Sequence, residues 1–234
     1  MKKYELTSET KVINGVKLHR IKALESFGNI KGGDLGGWIE SEKNLSQYGN
    51  AWVYDNAKVY DNATVGGNAR ISGNALVYEN ATVGGNARIS GNAWVSGDAR
   101  VGGDARVHGN ARVHGNAWVY DNATVYDNAT VGGGACVYEN ATVGGDATVG
   151  GDARVGGDAR VSWKEDYIVF KNWWSSGRYF TWTRSNNKWS VGCFYGSGEE
   201  LIAKAYKDSE KSGREYERVV NYVESILKEE NNNK

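Results

Sequence analysis

The sequence predicts a mainly β protein. Its centre is a left-handed parallel β-helix of hexapeptide repeats, about six triangular coils long, with an N-terminal cap and a small C-terminal α+β domain. Two periodicities and one absence carry that expectation. Ala recurs at every sixth position from Ala51 to Ala159, and an aliphatic residue (Val, or Ile71 and Ile89) follows two places later, from Val53 to Val161. Proline is absent from all 234 residues, which suits a body of ladder-bonded strands in which every N–H is needed.

The unit reads Val-x-(Gly/Asp/Glu)-(Asn/Asp)-Ala-x. Side chains alternate across a strand, so Ala and the following Val share the inner face and the residues beside them point outward. The dipeptide between is a corner. Asn, Asp and Gly tolerate a left-handed backbone, which is expected at the Asn/Asp position, with Gly134 as the natural substitute there. Three six-residue sides make an 18-residue coil, and about six coils at ~4.8 Å spacing form a prism on the order of 30 Å long.

The 18-residue period sorts the outward residues into columns. One runs Trp52, Arg70, Arg88, Arg106, Thr124, Thr142, Arg160; a second contains Trp94 and Arg112; a third contains Arg100, Trp118, Cys136 and Arg154. Asn56, Asn74, Asn92, Asn110 and Asn128 would stack along one corner as an amide ladder.

The borders fall at 1–46, 47–161 and 162–234. In the leader, Tyr4 to Lys11 and Val16 to Ile21 read as strands joined by the turn Asn14-Gly15, and the segment covers the open first turn of the helix. In the last part, Tyr167–Phe170, Tyr179–Thr183 and Trp189–Tyr195 are aromatic and β-branched and read as three strands. Ser197-Gly-Glu-Glu200 and Ser212-Gly-Arg-Glu215 each have the pattern that opens a helix. The tail from Glu229 to Lys234 reads as frayed. About 70 residues bury only a modest core, so this module should lean on the end of the prism and cover its second open edge.

Net charge is zero, so nothing argues for nucleic acid or a membrane surface. No apolar run could span a bilayer and no signal-peptide core follows the first residues, which points to a cytoplasmic protein. Cys136 and Cys193 fit no metal spacing and read as reduced thiols.

The repeat matches the hexapeptide pattern of an aliphatic residue, a small residue and two turn residues. The join Gly36-Gly-Trp-Ile-Glu-Ser-Glu-Lys-Asn-Leu-Ser, continued by Gly49-Asn-Ala-Trp-Val-Tyr, resembles the start of hexapeptide-repeat proteins of bacteria and their phages, of the acyltransferase-like or polymer-forming type. The segment Val191-Gly-Cys-Phe-Tyr-Gly-Ser, with Glu215-Tyr216 further on, is similar to the C-terminal module of phage-borne members. The resemblance implies the fold and carries no catalytic residue onto this chain.

Chemistry is sparse. Acyl transfer on such prisms needs a histidine base and a loop that builds a pocket. His108 and His114 are the only histidines of the repeat, lie six residues apart on different sides, and have no inserted loop beside them. His19 has no evident partner. His108, His114 and Cys136 do not converge as metal ligands, the Thr columns run only in pairs and make no ice-binding face, and the Gly-Gly dipeptides precede no helix that would make them phosphate loops. No catalytic residue, metal or cofactor is expected.

Two binding features stand out. Arg70, Arg88 and Arg106 stack one strand apart and would invite an anion or an acidic surface, unless Asp98 and Asp104 balance them. Trp173-Trp174 with Ser-Ser-Gly-Arg178 and Tyr179 reads as a loop whose tryptophans would anchor an interface, or else pack on the prism. The function expected is a non-enzymatic binding or scaffold protein, phage-encoded, self-associating, that engages or sequesters a host protein. A coenzyme A-dependent acyltransferase and a self-assembling structural protein are the alternatives.

Overall fold

The computed structural model describes residues 2–232. A hairpin of β1 (Tyr4–Ile13) and β2 (Val16–Ala23) begins the chain, turned by Asn14 and Gly15, both at positive φ. Strand β3 (Leu35–Ile39) follows, and then two-residue strands from β4 (Trp52–Val53) to β22 (Arg160–Val161), one per hexapeptide. Each pairs in parallel with the strand 18 residues away, as in Arg88 with Arg70 and Arg106. The result is a parallel β-solenoid with three sheets as its sides.

The solenoid has about seven turns rather than about six. Trp38 and Ile39 of β3 pair in parallel with Lys58 and Val59, and Leu45 bridges to Val65. Residues of the leader thus build a first coil without the Ala-Val signature. Gly36 and Gly37 make this possible: a Cβ on either would meet atoms of Val53 or Ile21 at 2.6–2.7 Å.

The inner face is as the periodicity requires. Each repeat Ala and each following Val or Ile is at most 2 % exposed and joins one continuous core. The corner departs from expectation. Positive φ falls one place earlier than the Asn/Asp position, on the Gly/Asp/Glu residue, at every sixth residue from Gly49 to Gly157; Gly134 itself is not among them.

The Asn/Asp position serves a different end. Asn74 donates to Asn92, Asn92 to Asn110, Asn110 to Asn128 and Asn128 to Asp146, Nδ2 to Oδ1 at 2.9–3.1 Å. Asn50–Asn68–Asn86–Asp104, Asn62–Asn80–Asp98 and Asn122–Asn140–Asp158 make further ladders. An amide both donates and accepts, so it can pass a ladder onward; a carboxylate only accepts, so each ladder stops at Asp. Left-handed Asp and Glu do separate work, since Asp55 and Glu139 accept the corner N–H of the next coil.

Both solenoid ends are closed. At the start, β2 pairs antiparallel with β3, and Tyr4 and Phe27 pack edge-on against Trp52. Trp52, the first residue of its outward column, is consequently 1 % exposed. Lys3 Nζ donates to the Ala51 carbonyl at 3.0 Å, and Asn44 Nδ2 to that of Ala63 at 2.9 Å.

At the far end sits an antiparallel sheet of β23 (Tyr167–Lys171), β24 (Tyr179–Thr183), β25 (Lys188–Val191) and β26 (Phe194–Gly196). Four strands stand where three were expected, because Gly192 at φ +59° turns the chain inside Trp189–Tyr195. Thr181 Oγ1 accepts from Arg154 N at 2.8 Å, Ser185 Oγ from Arg160 N at 2.7 Å, and Tyr167 donates to the Thr148 carbonyl at 2.8 Å. Tyr167 and Val169 pack on the solenoid core. The module therefore leans on the last coils and covers their edge.

Helices α1 (Gly198–Asp208) and α2 (Glu210–Asn232) back the sheet. Ser197 and Glu200 form the expected capping box of α1. Helix α2 starts earlier than Ser212, since Ser209 Oγ accepts the Ser212 N–H at 3.1 Å. It also runs through Glu229 to Asn232 rather than fraying there, tied to the sheet by a bidentate Arg184–Glu230 pair. Asn233 and Lys234 lie outside the described residues.

Candidate functional site

The expected site residues fall on two separate surfaces. Arg70, Arg88 and Arg106 are exposed on consecutive rungs of the seven-stranded sheet. Among the described residues none of them forms an ion pair. Among the described residues neither Asp98 nor Asp104 pairs with them; each ends a ladder by accepting an asparagine amide. Arg70 and Arg88 border a shallow groove of about 360 Å³ with Asp55, Ser72, Ser90, Tyr54 and Asn29.

Trp173, Trp174, Arg178 and Tyr179 belong to the C-terminal module, on the loop after β23 and the start of β24. The structure separates the tryptophans. Trp173 is 73 % exposed, whereas Trp174 is buried, edge-on to Tyr216 and Phe180 at 5.0 and 6.0 Å. Trp174 is thus core of the module rather than packed on the solenoid. The loop is pinned by Asn172, whose Oδ1 accepts from both the N–H and the hydroxyl of Ser175 at 2.9 and 3.0 Å. Arg178 and Tyr179 line a small hollow with Gly134, Asp152 and Arg154, on a different side of the solenoid from the Arg70 column.

The histidines have packing roles. His108 stacks on Tyr126, with centroids 5.8 Å apart, and the ring of His114 covers Gly132, where a Cβ would lie 2.5 Å from it. His19 Nδ1 lies 3.2 Å from the Thr7 carbonyl oxygen. The same stacking recurs along the solenoid, as in Tyr120 on Tyr138 and Tyr60 on Tyr78. Cys136 is half-buried and Cys193 exposed, and burial pushes the Cys136 thiol up. Among the described residues no group of His, Cys, Asp and Glu could hold a metal ion, and no helix is long and apolar enough to cross a membrane.

Two concavities have no counterpart in the sequence reading. One is an apolar groove of about 520 Å³ on the solenoid, floored by Gly84 and Gly102 and flanked by Trp118, Arg100 and Tyr120. The Arg100 guanidinium lies 5.1 Å from the Trp118 ring centre, a cation–π contact on an indole that is 45 % exposed. The other is a pocket of about 220 Å³ between sheet and helices of the C-terminal module, bordered by Asn172, Arg178, Lys204, Asp208, Ser212 and Tyr216. Column arithmetic could have found the first. The second joins residues from 172 to 216 and needs the fold.

A family model described as YdcK beta solenoid repeat matches residues 69–85, 81–97, 87–103, 99–115 and 117–133, all within the repeat. No curated protein matches the chain. Repeat match and parallel coils agree: the chain is a β-solenoid repeat protein.

Proposed function

We propose that this β-solenoid repeat protein is a non-enzymatic binding scaffold that engages or sequesters a protein partner. The primary contact is the loop carrying Trp173, Arg178 and Tyr179; the Arg70–Arg88–Arg106 column is a second surface, suited to acidic groups. One observation carries the reading. Trp173 stays 73 % exposed on a loop pinned at Asn172, while the adjacent Trp174 is buried. An indole held open on a pre-ordered loop is the kind of residue that dominates interface energy, because little entropy is lost when it is covered. The resemblance to phage-borne proteins makes a bacterial host protein the partner class to test first.

The test is affinity capture from bacterial lysate with the full chain and with a Trp173→Ser, Tyr179→Ser double variant. Both substitutions are at exposed positions, so the circular dichroism spectrum should not change. A protein retained by the wild type and lost by the variant supports the reading. Retention of the same proteins by both would overturn it. Acetyl-coenzyme A turnover that disappears in His108→Ala would instead favour acyl transfer.

A further inference from the structure

The pocket between the sheet and the helices of the C-terminal module has the makings of a small-molecule site. Its apolar wall is Val191, Phe194, Leu201 and Ala205, and its volume of about 220 Å³ is that of roughly seven water-sized groups. Two hydroxyls on α2 line it. Tyr216 is 8 % exposed and accepts from Asn172 Nδ2 at 3.0 Å, and among the described residues its own proton has no protein acceptor. Ser212, also 8 % exposed, makes no side-chain hydrogen bond among the described residues, because Ser209 and not Ser212 caps the helix. Neither hydroxyl is among the fully buried groups that lack a partner, so both open onto the pocket, where an acceptor would take the place of water. One acceptor in the pocket could take both protons.

The charges at the rim define the ligand further. Among the described residues Arg178 and Lys204 are cations without an ion pair, and Asp208 is a carboxylate without one. Asp208 and Arg178 both act electrostatically on the Tyr216 hydroxyl, with opposite sign. Two positive charges and one negative leave a single positive charge to match. A dianionic phosphate would overshoot it and meet Asp208, whereas one carboxylate fits the charge and the donor geometry of a guanidinium. We propose that this pocket binds the carboxylate of a short organic monoacid. Tyr216, Ser212 and Arg178 donate to the carboxylate oxygens, and the apolar wall covers a small aliphatic group. The acid could be free or could be the C-terminus of a peptide; the chemistry is the same.

Titration of the purified full-length chain, followed through the amide signals of Gly192, Ser212 and Tyr216, tests this without any protein partner. The probes are isobutyrate for a free acid, N-acetylalanine for a chain terminus, isobutyramide as the neutral shape and inorganic phosphate. Saturable shifts with at least one of the two carboxylates, and none with isobutyramide, are expected. Tighter binding of N-acetylalanine would assign a peptide terminus, and equal or tighter binding of isobutyrate a free acid. Arg178→Gln should weaken binding about tenfold and Ser212→Ala severalfold, while Lys17→Gln, at an exposed position of β2, leaves it unchanged. The proposal is overturned if neither carboxylate saturates, if isobutyramide binds equally, if phosphate binds more tightly, or if both pocket variants, folded by their spectra, bind like wild type.

Discussion

At the scale of single residues, the solenoid's neighbouring glycines differ sharply. Gly102 and Gly103 sit side by side at one corner. Gly102 has no positive φ and a Cβ there would meet nothing within 4 Å; Gly103 has φ +62°, and its Cβ would lie 2.6 Å from Asp121 N of the next coil. Gly103→Ala should therefore cost about 1–3 kcal/mol through backbone strain and the clash. Gly102→Ala should be neutral, or stabilising by up to ~1 kcal/mol, through a less flexible unfolded chain. Urea midpoints for the two variants would decide, and equal midpoints would refute the corner assignment. The corner also shows how far a residue type can be read without its neighbours. Asn, Asp and Gly were expected to share one job there. Instead the left-handed backbone goes to one position and the ladder to the next, because an Asn amide must face the coil above to extend the chain of bonds.

At the scale of elements, the leader closes the first coil at an electrostatic cost. Burial holds the Lys3 ammonium down to about 8, although it donates to the carbonyls of Ala51 and Gly49. Burial, aided by Lys58 and Arg20, holds Lys11 to about 8 as well, over the ring of Trp38 at 3.9 Å. In the unfolded chain both titrate near 10.5. Between about 8 and 10.5 the unfolded state thus binds more protons, and stability rises with pH. Tyrosines oppose this at the upper end. Burial pushes Tyr60 up to about 12 and raises Tyr4 further, so above their unfolded value of 10.0 the folded state holds the extra protons and stability falls. The unfolding midpoint should climb from pH 8 to about 10 and then decline. Lys3→Met should flatten the climb, and a climb unchanged in that variant would show that Lys3 is not its source.

At the scale of the whole molecule, the two ends decide whether a solenoid stays a single unit. A chain ending at Val161 would lose the partners of Arg154 N, Arg160 N and the Thr148 carbonyl, and would bare the Ala-Val core at one end. An uncovered parallel edge is a template for further strands. The truncated chain should form open-ended species whose mass grows with concentration, while the full chain gives one closed species. Light scattering after size exclusion measures both. A truncated chain of constant mass would mean that the module is not needed as a cap, and the self-assembling reading would lose its simplest mechanism.

What the sequence determined by itself is the part governed by local period. Six-residue spacing of Ala and Val dictates which side chains enter the core, the 18-residue columns follow from three sides per coil, and the paired registers of Arg70, Arg88 and Arg106 were countable in advance. The tertiary structure decided what depends on contacts between distant segments. It made Leu35–Ile39 a coil strand although that strand lacks the repeat, since β2 and Trp52 pack around it. It buried Trp174 while leaving Trp173 open, which alternation in an irregular loop cannot resolve. It also gathered Asn172, Arg178, Lys204, Ser212 and Tyr216 around one pocket. A period fixes neighbours only along its own lattice; where the repeat ends, neighbours are set by packing, and packing is a property of the folded chain.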